Sequence, residues 1–357
     1  MYELKKLIKD VFNPKSEKII LLNDFPSPEK ITAEYIERKE MTKAWHKTLK
    51  EMKFNVEEII YFKPTESHGA PLPEKAMQNR KQINLTKKLD SLGTKDIVIA
   101  ITTFSATGPL QTRVNKQKFR CATLPGATMD MAAFTADYSL VAKKAHILEK
   151  KLTQAKAAVA TFSTGHEIYF DLKGTKAHAD DGICQKPGQI INLPSGEAYT
   201  VPNDKPGNKT IGFLPVHYDK HLVVYEVQEN KIIDVITDSP KSNKMQQFFK
   251  EDPARGNIAE VGLGCNEKAT FINNILQDEK IEGMHWAYGY NKYMGGSIDV
   301  TDFKDPSQAI HFDIIYTKQA PVKIKRFTLI YPDGKKEVIL ENSRYSFNIQ
   351  KEFTTNK

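Results

Sequence analysis

The pattern of apolar runs changes near residue 165, and that change constrains the fold more than any other feature of the sequence. Before it, short β-branched stretches alternate with longer segments of helical spacing, the order expected of an α/β domain with a mainly parallel sheet. "KIILLNDF" (18–25), "VEEIIYF" (56–62), "DIVIAITTF" (96–104) and "FRCATLP" (119–125) read as strands. Residues 33–52 and 73–92 read as helices between them. The Met, Ala and Leu spacing of "MDMAAFTADYSLVAKKAHILEKKLTQA" predicts one long helix with a lysine-rich outer face, and "AAVATFS" (157–163) closes the domain.

After that point helices become scarce. "HEIYFDL", "HLVVYEV" and "KIIDVIT" are short alternating runs separated by Gly, Pro and Asn clusters, with one helical stretch at "KSNKMQQFFKED". "RFTLIYPDGKKEVILEN" sets a PDG turn between two strand-like arms, the pattern of a β-hairpin. A chain of 357 residues exceeds the usual single-core limit. The expected organisation is therefore an amino-terminal α/β domain over 1–165 and a mainly β, α+β carboxy-terminal domain over 166–357.

The net charge of +8 comes mostly from lysines scattered along the chain. Nucleic-acid binding concentrates basic residues into a patch or interleaves them with aromatics, so it is not expected here. No apolar run approaches the roughly 20 residues of a membrane helix, and the amino-terminal stretch lacks the apolar core of a signal peptide. Cys121, Cys184 and Cys265 are odd in number and widely spaced, which fits a reducing cytoplasm better than a disulfide framework.

The chemistry concentrates in the second half. In "AIHFDIIY" (309–316), His311 and Asp313 are two apart in a run with strand composition, so they project side by side from one face. An unpaired carboxylate there would be costly, and either an ion pair or a metal ion would compensate it. Glu260 stands alone among Ile258, Ala259, Val261 and Leu263; Glu197 follows a Pro-Ser-Gly corner; His285 sits beside Trp286. Together the five residues match a dinuclear metal site of oxygen and imidazole donors suited to Zn²⁺, Co²⁺ or Mn²⁺.

Other polar residues carry less. His68 and His166 read as surface histidines, and Asp180 and Asp181 in "HADDG" as a turn. "FSATGPLQTR" (104–113) follows a parallel strand, where ligands gather, and Arg113 is placed to meet a substrate carboxylate. No GxGxxG, P-loop or GxSxG motif appears.

The series "NLPSGEAYTVP", "AEVGLGCN", "NILQDEKIEGMHWAYGYNKYMGG" and "IHFDII", in that order, resembles the metallo-aminopeptidase family of aminopeptidases T and S. "ATLPGATMDMAAFTADY" and "ADDG" look like that family's amino-terminal segments, so the likeness extends over most of the chain. The resemblance implies a carboxy-terminal metal-binding domain with Glu197, Glu260, His285, His311 and Asp313 as ligands of two divalent ions. It further implies a homodimeric hydrolase that removes the amino-terminal residue of a small peptide or related amide through a metal-activated water. Glu260 would be the base, and a tyrosine after His285, of which Tyr290 is our choice, would stabilise the oxyanion. The same fold family includes 2,5-dihydroxypyridine 5,6-dioxygenase, which uses one Fe(II) on two histidines and a carboxylate; His285, His311 and Asp313 can supply that triad. A non-catalytic binding protein of the same fold is the third reading, and the retained five-residue set argues against it.

Overall fold

The computed structural model describes residues 3–65 and 67–355. It is a mixed α/β protein with three sheets and eight α-helices among the described residues. The chain forms two compact units, and neither is one continuous stretch. The first takes in residues up to Ser139 together with Gly182–Ser195 and Lys268–Gln277; the second holds Leu140–Asp181, Gly196–Glu267 and everything from Asp278 onward.

In the first unit, the strands Lys18–Asp24, Asp96–Ile101 and Arg120–Thr123 lie parallel and are buried along nearly their whole length. Burial on both faces explains their unbroken Ile, Leu and Val runs. Ile60–Phe62 pairs with Lys18–Asp24 on one side of the sheet, and Ile190–Asn192 extends it beyond Arg120–Thr123 on the other. Ala33–Glu51 is helical, as expected.

The stretch 73–92 is not the helix expected there. Lys75–Gln78 and Lys81–Asn84 form a hairpin, and only Leu85–Asp90 is helical. Asn79 and Arg80 both adopt positive φ (50° and 62°), which a two-residue turn between twisted strands requires. Ala76 is buried in the resulting sheet edge, so packing outweighs the helical propensity of the lysines and glutamines. Likewise the long helix is confined to Tyr138–Gln154, preceded by a 3₁₀ turn at Ala132–Thr135. Its buried stripe is Val141, Ala145, Leu148 and Leu152, alternating four- and three-residue steps.

The second unit contains two antiparallel sheets. The eight-stranded one runs Lys231–Val235, His221–Gln228, Ile211–Tyr218, Glu167–Asp171, Ala157–Phe162, Ile324–Ile330, Lys336–Glu341 and Arg344–Tyr345. Ala157–Phe162, read from sequence as the last strand of the amino-terminal domain, belongs here instead. The expected hairpin at 324–341 is present. The five-stranded sheet is ordered Ala177–Asp180, Glu197–Thr200, Ile258–Gly264, Gly283–Gly289 and His311–Thr317.

One face of the five-stranded sheet carries Val261, Leu263, Met284, Trp286, Ile314 and Tyr316, which join the unit's main apolar core. Tyr316 packs 4.9 Å from Phe162 and Trp286 6.1 Å from Tyr225 between ring centroids, so this face rests on the eight-stranded sheet. No helix among the described residues is long and apolar enough to cross a membrane.

Candidate metal centre

Strand alternation places every residue between those core positions on the opposite face. The register aligns Asp180 with Glu197, Glu197 with Gly264, Gly262 with His285, Glu260 with Ala287, Ala287 with Asp313, and Gly289 with His311. All five residues expected from sequence thus stand on one face, separated by Gly262, Gly264, Ala287 and Gly289. The small residues leave room for the long ones. At Gly262 a Cβ would lie 2.0 Å from His285 Nε2, so the imidazole lies directly over the glycine.

Two groups of three donors form there, Glu197–Glu260–His285 and Glu260–His311–Asp313, each with its ligand atoms within 4.8 Å of one another. Glu260 is common to both. One of its oxygens is 3.4 Å from His285 Nε2 and the other 3.2 Å from His311 Nε2. His311 Nε2 is 3.7 Å from Asp313 Oδ1, the side-by-side placement that their spacing implies. Neither group contains both imidazoles, so the triad His285, His311 and Asp313 is not preassembled as a single three-donor group.

The donor set fits a metal ion on two observations. His311 Nδ1 lies 2.9 Å from the Tyr290 carbonyl oxygen. A carbonyl can only accept, so Nδ1 donates its proton there and leaves Nε2, the nitrogen facing the carboxylates, as the atom for a metal ion, the arrangement that orients a ligating histidine. Glu197 Oε2 is buried with no hydrogen bond, although it lies 2.9 Å from His285 Nε2. A buried carboxylate oxygen whose nearest donor is poorly aligned is the kind of atom that coordination satisfies.

Charge points the same way. Burial disfavours a charged His285, but Glu197 and Glu260 overcome it and hold the pKa well above the ordinary value. Burial likewise opposes charge on His311, and Asp313 and Glu260 raise its pKa well above normal. Burial raises the Glu260 pKa, but hydrogen bonds from the two imidazoles bring it below the usual carboxylate value. Protons on these imidazoles compensate the carboxylates, and a divalent ion would displace them.

Sequence reasoning missed an important neighbour. Lys280 is completely buried, and its ammonium contacts Glu197, Glu279 and Asp180. Asp180, read as part of a turn, ends the Ala177–Asp180 strand and is 6 % exposed. Alternation also brings His178 and Tyr199, paired across the strands with ring centroids 5.7 Å apart, onto the metal face. Both were overlooked because an isolated His or Tyr in a short strand carries no motif.

The tyrosines after His285 separate clearly. Tyr288 lies on the apolar side with Trp286. Tyr290 and Tyr293 flank His311, with ring centroids 6.0 and 5.9 Å from the imidazole. Arg113 is in the helix Thr107–Gln117 and pairs with Asp90 at 3.2 Å, so it does not have the free guanidinium expected of a substrate clamp.

A polar sheet face bearing imidazole and carboxylate donors defines a candidate metal centre of the nitrogen and oxygen class. The chain belongs to the 2,5-dihydroxypyridine 5,6-dioxygenase (NicX) family, whose sequence model matches residues 29–287. The matched stretch includes Glu197, Glu260 and His285 and ends before His311 and Asp313. The fold is similar to that of 2,5-dihydroxypyridine dioxygenase from Pseudomonas putida KT2440, with a TM-score of 0.65 and 15 % identity over 96 % of this chain and 97 % of that one. It is also similar to wild-type AmpT from Thermus thermophilus, with a TM-score of 0.58 and 14 % identity over 96 % of this chain and 98 % of the other. At these identities the likeness is one of fold. No curated protein sequence matches the chain.

The family assignment overturns the expected reaction. The aminopeptidase reading, with its labels of hydrolase and metalloprotease, gives way to an oxidoreductase family. The physical reason is that the motifs behind that reading specify strands and donor residues, and one fold with one donor chemistry supports different reactions.

Proposed function

We propose that the chain is a metal-dependent ring-cleaving dioxygenase acting on a hydroxylated, electron-rich nitrogen heterocycle of the dihydroxypyridine class, with one Fe(II) per chain. The observation that carries the proposal is the family match over 29–287. The thiolate-free donor set of Glu260, His285, His311 and Asp313 supports it, because imidazole and carboxylate donors suit non-haem Fe(II). When bound, the ion supplies the redox chemistry that lets dioxygen react with the ring.

The remaining work falls to side chains on the same face. Burial, then Glu260, raises the Tyr199 pKa, so its phenol keeps its proton and can donate to an oxygen of the substrate. Burial, followed by Lys176, lowers the pKa of His178. It is a neutral base at pH 7, able to accept a proton from a ring hydroxyl. Tyr293, with its pKa raised by burial and by Tyr290, Glu260 and Asp313, adds a second neutral phenol beside His311.

The test is oxygen consumption by protein loaded anaerobically with Fe(II). With 2,5-dihydroxypyridine, we expect oxygen uptake to match loss of ring absorbance mole for mole. Release of an amino acid from an aminoacyl amide, with no oxygen uptake on hydroxypyridines, would contradict the proposal.

A further inference from the structure

In the first unit the helix Ala33–Glu51 packs on the strands Lys18–Asp24 and Asp96–Ile101, and the sheet continues beyond it through Ile60–Phe62 into the 75–84 hairpin. That outer part of the sheet has two unlike faces. Ile60, Phe62 and Ala76 point into the apolar core with Leu85 and Leu89. Alternation turns Ile59, Tyr61 and Met77 the other way, with Tyr61 directly opposite Met77 across the strands. These three side chains form the floor of an open pocket of about 370 Å³, bordered by His46 of the helix, by Glu58 and by Arg80 of the hairpin turn.

Arg80 is out of place as a turn residue. Its φ of 62° is one that glycine adopts freely and a residue with a Cβ adopts only with strain. Asn-Gly is the favoured pair in such a turn, so an arginine here gives up backbone stability. No contact inside the protein offsets that loss: the guanidinium is exposed and has no hydrogen bond or ion pair among the described residues. Glu58, the acidic group of the pocket, is taken by Lys50 at 2.6 Å. His46 Nε2 lies 3.1 Å from the Glu57 carbonyl oxygen, which can only accept, so Nε2 donates and Nδ1 is left as an acceptor. The pocket thus combines an apolar, aromatic floor with an unpaired cation at its rim.

We infer that this pocket is a second ligand site, for a small aromatic carboxylate, and that Arg80 is the residue that holds the anion. A guanidinium meets a carboxylate with two parallel N–H···O bonds, which a point charge cannot do. The ring of the ligand lies against Tyr61 and Met77, a phenol and a thioether that both favour aromatic contact. A hydroxyl or N–H on that ring has His46 Nδ1 as its acceptor. The volume is at the small end of ligand pockets, enough for a single-ring molecule. Every residue of the site belongs to the first unit, whereas Glu197, Glu260, His285, His311 and Asp313 belong to the second, so the inference is independent of the metal-centre reading.

Isothermal titration of the full chain, kept free of metal with a chelator so that no ion can capture a carboxylate, tests the assignment. Benzoate is the probe and benzamide its uncharged counterpart. Wild type should bind one benzoate per chain, at least about tenfold more tightly than benzamide, the usual margin for a charge-assisted pair. Arg80→Gly should weaken benzoate by at least about tenfold while leaving benzamide unchanged. The same variant should melt no lower than wild type, because glycine takes the positive φ without strain. That pairing of lost binding with undiminished stability is one that a merely structural arginine would not produce. No benzoate binding to wild type, equal affinity for benzoate and benzamide, or unchanged benzoate affinity in Arg80→Gly would each overturn the site. A clear drop in the melting temperature of Arg80→Gly would also overturn it, by giving Arg80 a role in the fold instead.

Discussion

Gly262 lies beneath the His285 ring, with space for hydrogen but not for a methyl group. Gly262→Ala should tilt or displace the imidazole without disturbing the apolar face, where Val261 and Leu263 remain buried. We expect divalent-metal affinity to fall about 10–100-fold, the usual cost of disturbing what holds a ligand in place. Isothermal titration with Co²⁺, together with an unchanged far-ultraviolet spectrum, would check this; unchanged affinity would separate His285 from the centre. The residue scale is also where the sequence was most readable. His311 and Asp313 stood out because they interrupt a strand that otherwise wants hydrocarbon, and they do project together. Lys280 and Asp180 did not stand out: one lysine among many reads as surface, and Asp-Asp-Gly reads as a turn. Only tertiary pairing of Lys280 with Asp180 and Glu197, far apart in sequence, reveals a buried cation.

Among the elements, the helix Tyr138–Gln154 carries a pH-sensitive tie. His146 lies 2.8 Å from Glu149, one turn on, and 2.9 Å from Asp181 just past the Ala177–Asp180 strand. Burial lowers its pKa, but Glu149 and Asp181 raise it by more, so the folded value lies above the ordinary 6.5. The charged ring therefore stabilises the fold fully below that ordinary value, and its contribution disappears as pH rises through the higher folded value. Because the ring is half exposed, the effect is of the order of a few tenths of a kcal/mol. The melting-temperature deficit of His146→Gln should shrink between about pH 5.5 and about pH 8.5; a deficit constant across that range would refute the tie. Elements with one strong period were legible, as with Lys18–Asp24, Asp96–Ile101 and the 324–341 hairpin. The hairpin at 75–84 was not, because its turn is Asn-Arg rather than a glycine pair and its polar arms have no clear alternation.

For the molecule as a whole, the sequence pattern announces an α/β portion followed by a mainly β portion, but not the exchange of segments between the two units. Residues 182–195 return to the first unit because Ile190–Asn192 extends the sheet beside Arg120–Thr123, a long-range pairing that local pattern does not encode. The reaction was obscured for a related reason. The motifs from Glu197 to Asp313 describe how a sheet face gathers carboxylates and imidazoles. They do not state whether the metal activates water or dioxygen.

Isotope labelling separates those two chemistries most directly. Fe(II)-loaded protein turning over 2,5-dihydroxypyridine under ¹⁸O₂ in ordinary water should give a ring-opened product that contains both atoms of the labelled dioxygen when trapped immediately and weighed by mass spectrometry. Product oxygen derived from water alone, with no label from ¹⁸O₂, would contradict the assignment of this chain as a ring-cleaving dioxygenase.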